Sequence, residues 1–315
     1  MENKKIIAVV GATGAQGGGL VQAILNDKDS EFAVRAITRN TNSDKAKALK
    51  EQGVEIVEAD VDDKKSLIKA FEGAYGAFCV TFFWEHFSPE KEKQHAKNMA
   101  EAAAEAGIQH VIWSTLEDTR KWISINDNRM PTLQGIYKVP HFDAKGESNI
   151  HFKNSGVPYT LLNTSFYWDN FIYFGLGPQK GPDGKLAITL PMQDKKLPGI
   201  ASEDIGKVAN GIFKAGDKYK GKTLGIAGGK LTGKQMAEGF SKTTGVEVAY
   251  NDVPPEVYRG FEFPGADDMG NMFQFKADFE KEYCDARDID LTRKLNPELL
   301  SFDDWLEKNK EKINV

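Results

Sequence analysis

The chain has 315 residues, enough for one large domain or two smaller ones and for a sizeable buried core. Hydrophobic residues make up 40% and charged residues 28%, an ordinary globular balance that excludes a chain disordered throughout. The 41 Lys and Arg against 46 Asp and Glu give a net charge of −5 with no basic block, so the footprint of a direct nucleic-acid binder is absent.

The longest apolar stretches fall well short of the roughly twenty residues a membrane span needs, so no membrane partner is expected. The opening Met-Glu-Asn-Lys-Lys runs straight into an apolar segment, which leaves no room for a signal peptide. Two cysteines, Cys79 and Cys284, cannot build a disulfide framework or a Cys-rich metal site. The expected compartment is reducing and cytoplasmic.

The first half alternates short apolar runs with helical patterns. Runs at 6–10, 33–38, 54–57, 77–81, 110–114 and 159–163 read as strands. Helical periodicity fills 20–26, 43–52, 64–71, 90–106 and 142–155 between them. Ser88-Pro89-Glu90 supplies a cap followed by Pro at the first helical position, and Gly107 and Gly156 stop their helices before the next strand. Apolar strands spaced by helices predict a parallel sheet covered on both faces. The fold class is therefore α/β, a Rossmann-type doubly wound sheet over residues 1–162.

After residue 170 the pattern weakens. Residues 175–199 are rich in Gly and Pro. Helices are expected at 202–214, 232–243 and 303–312, with a short strand at 223–227. Residues 163–315 are read as a smaller α+β lobe, with part of 200–230 returning to the sheet.

Gly11-Ala-Thr13-Gly14-Ala15-Gln16-Gly17 follows the first strand and opens the first helix. Glycines there let the backbone turn and approach a pyrophosphate, and the helix start offers N–H groups with a positive dipole end. The Gly-x-x-Gly-x-x-Gly spacing is the short-chain-dehydrogenase variant of the dinucleotide fingerprint. At the end of the second strand an NAD site places Asp or Glu; this chain has Thr38-Arg39-Asn40. Arg39 suits a 2′-phosphate, with Lys45 and Lys47 nearby, which favours NADP(H). Asp60-Val61, after the third strand, suits an adenine amine and ring; an exposed turn is the plainer reading.

Short-chain dehydrogenases activate a Tyr with a Lys four residues on. None of the nine tyrosines has Lys at that spacing. The nearest equivalent is His141-Phe-Asp-Ala-Lys145. Either His141 is a proton donor, or there is no catalytic acid and Lys145 only holds the nicotinamide ribose.

Three other signals are set aside. The string 216–223 matches a P-loop letter for letter, but a helix precedes it and a strand follows, the reverse of the required order. Asn163-Thr-Ser165 matches a glycosylation sequon at a strand end. His86 and His95 lack metal-site spacing, and no metal is expected.

With Val139-Pro-His-Phe-Asp-Ala-Lys-Gly-Glu147, Pro178-Gln-Lys-Gly-Pro-Asp-Gly-Lys185, Phe263-Pro-Gly-Ala266, Asn271-Met-Phe273, Asp288-Ile-Asp-Leu-Thr292 and Leu295-Asn-Pro297, the chain resembles the NmrA-like family of atypical short-chain dehydrogenases, nearest its NADPH-sensor members. The resemblance covers essentially the whole chain. It implies NADP(H) bound by the glycine loop, Thr38 to Asn40, Asp60, Val61, Thr81, Phe82, Phe83 and Lys145, with Tyr167, Trp168, Asp169 and Asn170 closing over the nicotinamide end. It implies a redox sensor that changes shape or oligomer state with cofactor, acting on a regulatory partner or a second copy. Residues 115–137 are the expected mobile segment. Family relatives include quinone and aromatic reductases, so an NADPH-dependent reductase of quinones, aldehydes or similar carbonyls is the alternative, and whether the chain is an enzyme stays open.

Overall fold

The apolar runs of the first half form strands that pair side by side. The computed structural model describes residues 4–181 and 184–315, so Pro182 and Asp183 of the 178–185 motif lie outside the described residues. Strands β1 (Lys5–Val10), β2 (Phe32–Thr38), β3 (Glu55–Glu58), β4 (Gly76–Cys79), β5 (His110–Thr115) and β6 (Tyr159–Asn163) lie in one sheet. All five pairings among them are parallel. Strand Lys222–Gly225 joins beside β6 to complete a seven-stranded sheet. Its order places β3, β2 and β1 on one side and β4, β5 and β6 on the other. The chain therefore reverses direction across the sheet between β1 and β4, the switch point at which such sheets open a crevice.

The helices are α1 (Ala15–Asn26), α2 (Asp44–Glu51), α3 (Lys64–Phe71), α4 (Pro89–Glu105) and α5 (Pro140–Asn154). Local chemistry sets their starts. Ser43 accepts from the Ala46 N–H, Asp63 from Lys65 and Ser88 from Lys91. Gly107 and Gly156 take φ of +70° and +82° where α4 and α5 end. The apolar sides of α3 and α4 close over the sheet through Leu67, Phe71, Ala96, Met99 and Ala103, all fully buried. Helix Ser202–Lys214 crosses α1 backbone to backbone. A Cβ on Gly206 would meet the Leu20 nitrogen at 2.0 Å, and one on Gly19 the Glu203 oxygen at 2.4 Å.

The chain divides into two compact units. The first comprises Met1–Asp118, His141–Asn163 and Glu203–Leu224; the second comprises Thr119–Pro140, Thr164–Ser202 and Gly225–Val315. The chain thus passes between units several times.

The second unit holds two three-stranded sheets. One contains Gly229–Thr232, Lys196–Ile200 and Phe166–Tyr167; the other contains Val248–Asp252, Leu186–Leu190 and Gln179–Lys180. Helices Gly233–Thr244, Ala266–Asp278 and Phe302–Asn309 are its longest, and Trp168, Phe171, Phe240, Phe302 and Trp305 form its aromatic core.

Side chains meet several backbone carbonyls of residues 119–140. Asn271 Nδ2 donates to the Pro131 and Lys138 carbonyls at 2.9 and 2.6 Å, and Gln274 Nε2 donates to Arg129 O at 2.8 Å. Lys138, buried, donates to the Asp127 and Met130 carbonyls. Side-chain amides of helix Ala266–Asp278 thus take up the loop carbonyls.

Candidate functional site

The glycine loop begins at the end of β1. Gly11 has φ +68°, a conformation L side chains rarely adopt, and it lets the chain turn into α1. A Cβ on Gly17 would lie 2.3 Å from Gly11 O and 2.7 Å from Gly11 C, so the helix seats directly on the loop backbone. The Gly14 N–H donates to Gly11 O at 2.9 Å. Helix α1 starts at Gly14, which has no side chain to cap it, and its first turn carries no acidic residue. An anion therefore meets no competing carboxylate on this turn. Lys45 Nζ reaches Thr13 O at 3.3 Å and adds positive charge beside the loop. Ala15 is exposed, and Gln16 is fixed by the Ser114 hydroxyl, which donates to its Oε1 at 2.7 Å.

The ends of β2 and β3 lie together, with the Ala59 N–H donating to Thr38 O. The Asn40 N–H donates to Thr38 Oγ1 at 3.2 Å. Arg39 is exposed and pairs with Glu85 at 2.6 Å. That pairing raises the Arg39 guanidinium and lowers the Glu85 carboxyl from their usual values. Asp60 Oδ1 accepts the Asp62 N–H, and Val61 O accepts from Asn98.

Lys145 sits one turn into α5 and is only 12% exposed. Its ammonium lies 2.6 Å from Glu92 Oε1 and 2.5 Å from Thr81 Oγ1. The Thr81 hydroxyl accepts from Lys145 and donates to Glu92, closing a triangle. Glu92, on α4, is fully buried. Burial alone would push its carboxyl up, but the Lys145 charge and the polar hydrogens of His86 and Thr81 outweigh burial and lower it to about 2. Lys145 Nζ also stands 5.2 Å from the centre of the Trp113 ring.

Behind the triangle lies a line of imidazoles. His86 Nδ1 accepts the Ser88 N–H at 3.0 Å, which assigns the proton of the neutral ring to Nε2, 3.5 Å from Glu92 Oε2. The His95 ring meets the His86 ring edge to face at 5.3 Å, and His95 Nε2 lies 2.8 Å from Asp62 Oδ1. The hydrogen bond to His95 lowers the Asp62 carboxyl.

His141 is buried and packed against Trp84 at 4.7 Å, Phe142 at 4.9 Å and Phe83 at 5.9 Å. Phe82 is exposed, while Phe83 is buried. The first unit thus gathers the glycine loop, the 38–40 corner, Asp60, Val61, Thr81 to Phe83, His141 and Lys145. Tyr167 to Asn170 belong to the second unit. There the Trp168 indole, 1% exposed, is enclosed by Phe302 and Trp305, and Asp169 Oδ2 accepts the Ser202 N–H. Trp168 is committed to that core.

Glu92 was not singled out from sequence; Trp84 was weighed there as a cleft or core wall and His86 only as a metal ligand. Glu92 and His95 lie on the α4 stripe that also carries Ala96, Met99 and Ala103. A carboxylate on an apolar helix stripe is the signal that marks it. The C-terminal motifs do structural work: Gly265 starts helix Ala266–Asp278 at φ +82°, and Asp288 caps the helix Ile289–Leu295.

A model of the NmrA-like family matches residues 3–306. An NmrA-like family domain-containing oxidoreductase of Cladobotryum sp, FrzB, is 29% identical over 291 residues, spanning 86% of this chain and 83% of its own. The solved structure of NmrA, a negative transcriptional regulator, in complex with NADP aligns with TM-score 0.79 at 23% identity, over 98% of this chain and 95% of that one. The same regulator has been solved with NAD. Citrobacter sp. triphenylmethane reductase complexed with NADP(H) aligns with TM-score 0.76 at 22% identity, over 97% and 99%. At these identities the structural likeness establishes the fold, one that binds NAD(P) in these neighbours. Among the described residues, no helix is long and apolar enough to cross a membrane.

Proposed function

The chain belongs to the NmrA-like family, and from that premise we propose that it is an NADP(H)-binding regulator responsive to NADPH, acting through a protein partner or a second copy. The observation that carries this reading is the environment of the two residues at the short-chain-dehydrogenase positions. His141, where the Tyr stands in active members of the superfamily, is enclosed by Trp84, Phe83 and Phe142. Lys145 is engaged by Glu92 and Thr81. Such a lysine serves as a fixed charge that holds a ribose hydroxyl.

The donor set fits NADP(H). The uncapped start of α1 and Lys45 suit the pyrophosphate. Arg39 suits the 2′-phosphate in exchange for Glu85. Asp60 and Val61 suit the adenine, and Thr81 to Phe83 with Lys145 suit the nicotinamide riboside. NADPH, when bound, supplies a hydride donor. A sensor needs unequal binding of the reduced and oxidised forms, or occupancy coupled to a change of shape or assembly.

The second reading is an NADPH-dependent reductase of quinones, aldehydes or similar carbonyls, favoured by the exposed Phe82 ring beside the Thr81–Lys145 pair. There the chain orients donor and acceptor, with His141, Lys145 or water as proton source. The test follows NADPH absorbance with a panel of quinones, aldehydes and enones, wild type against Lys145→Ala. The expected result is saturable NADPH binding, weakened in the variant, with no protein-dependent oxidation. Oxidation by wild type that is lost in Lys145→Ala makes the protein a reductase and overturns the pure-sensor reading.

A further inference from the structure

Glu92 has no place in the cofactor set above, yet it is the most completely buried charged group touching it. A carboxylate is retained at such a position only when paired, because an isolated buried charge is strongly unfavourable. Three different elements converge on it. Lys145 comes from α5, Thr81 from the segment after β4 and His86 from the turn before α4. The Ser88 N–H orients the His86 ring, and the same Ser88 caps α4, so the helix start and the imidazole tautomer are set by one residue.

We propose that Glu92 is a positioning residue. Its buried carboxylate, braced by Thr81 and faced at 3.5 Å by the Nε2 edge of His86, fixes the Lys145 ammonium over the Trp113 ring at the place where the cofactor ribose is held. The proposal rests on the reading of Lys145 as a cofactor contact, but the geometry of the lysine is measurable without any cofactor.

Lysine carries four rotatable side-chain bonds and loses their rotamer freedom when fixed. With its carboxylate partner in place that cost is met before a ligand arrives, and ribose binding to a pre-set ammonium is correspondingly tighter. Thr81 alone cannot replace Glu92. A neutral hydroxyl offers no charge to the ammonium, and the Thr81 proton needs the Glu92 oxygen as its acceptor.

The experiment has two readouts on the same proteins: wild type, Glu92→Gln, Glu92→Asp, Lys145→Met and the Glu92→Gln/Lys145→Met double variant. The first is the NMR signal of the Lys145 ε-CH2 group, assigned by its loss in Lys145→Met and recorded without nucleotide. Beside the Trp113 ring it is displaced from the exposed-lysine position by the ring current. The expected result is that Glu92→Gln returns it to that position. Glu92→Asp, which keeps the charge and so the fold but withdraws the carboxylate by one methylene, shifts it part of the way. The second readout is NADPH affinity. Glu92→Gln and Lys145→Met are each expected to weaken binding about ten-fold, with the double variant no weaker than the worse single one, because the two act as a unit.

A Lys145 signal unmoved in folded Glu92→Gln or Glu92→Asp overturns the proposal whether or not NADPH binds. A moved signal with unchanged NADPH affinity overturns it too, since position then has no consequence. Additive losses in the double variant assign Glu92 a general structural role instead. Absence of NADPH binding by wild type refutes the functional reading separately, and the NMR result still decides whether Glu92 holds the lysine.

Discussion

Replacing Arg39 with Ala is expected to weaken NADPH binding while leaving NADH binding nearly unchanged. Arg39 is 59% exposed and Glu85 47%, so their pair at 2.6 Å is screened by solvent. Pairs of this kind are worth about 0.2–1 kcal/mol. Charge-assisted hydrogen bonds from the same guanidinium to a phosphate are worth about 1.5–3 kcal/mol. Exchange of Glu85 for the 2′-phosphate therefore leaves a net gain of ~1–2 kcal/mol. Its loss in Arg39→Ala corresponds to roughly a 5- to 30-fold weaker NADPH. Glu85→Gln frees the guanidinium and is expected to tighten NADPH by up to about five-fold. Nicotinamide fluorescence titrations at low ionic strength, with NADPH and NADH on each protein, read both effects. Equal losses for the two nucleotides, or an NADPH affinity indifferent to Arg39, would refute the assignment of this corner to the 2′-phosphate.

Three further outcomes follow from particular contacts. In Gly17→Ala the new methyl meets loop backbone at 2.3 Å, so a cost of about 1–3 kcal/mol in melting free energy is expected with loss of NADPH binding; an unchanged affinity contradicts the seating of α1 on Gly11. His110 Nε2 lies 2.8 Å from Thr160 Oγ1, whose proton is given to Tyr219 O, so Nε2 is the donor and the buried Nδ1 lacks a partner. Burial lowers the His110 imidazole to about 4. Below about pH 6.5 the unfolded chain takes up a proton that the folded one refuses, so stability falls from that pH toward 4, by ~3 kcal/mol at most for this group. Urea unfolding across that range should show a shallower decline in His110→Gln, and parallel curves would remove the assignment. Trp168→Ala opens the aromatic core of the second unit and is expected to cost about 3–5 kcal/mol by thermal unfolding; a variant that melts like wild type would contradict the packing of Trp168 in that core.

The parallel sheet was legible because β1, β4 and β5 are largely buried and carry apolar runs such as 6–10 and 111–113. Their helices also announce their own ends at Ser43, Ser88, Gly107 and Gly156. The glycine loop was legible for the same local reason. The helices between 255 and 295 were not, because they are short and amphipathic only weakly, and their starts at Gly265 and Asp288 make sense only against the segments they hold. Residues 222–225 were legible as a short strand after a helix, within the 200–230 segment expected to return to the sheet. At the site, Lys145 is visible by spacing from His141, whereas Glu92 and His86 come from residues remote in sequence. Their burial depends on the packing of α4, which periodicity marks but charge composition disguises. The role of Asn271 and Gln274 in holding residues 119–140 is a long-range contact with no local signature.

The most direct test of a regulator that responds to NADPH is a calorimetric titration of one preparation with NADPH, NADP+ and NADH in turn. A sensor that works by unequal binding separates the reduced and oxidised forms by a coupling of about 1–3 kcal/mol, a factor of five or more. The account predicts NADPH binding at least that much tighter than NADP+, and both tighter than NADH. Equal affinities for NADPH and NADP+, with no change in hydrodynamic size between the two complexes, would contradict it.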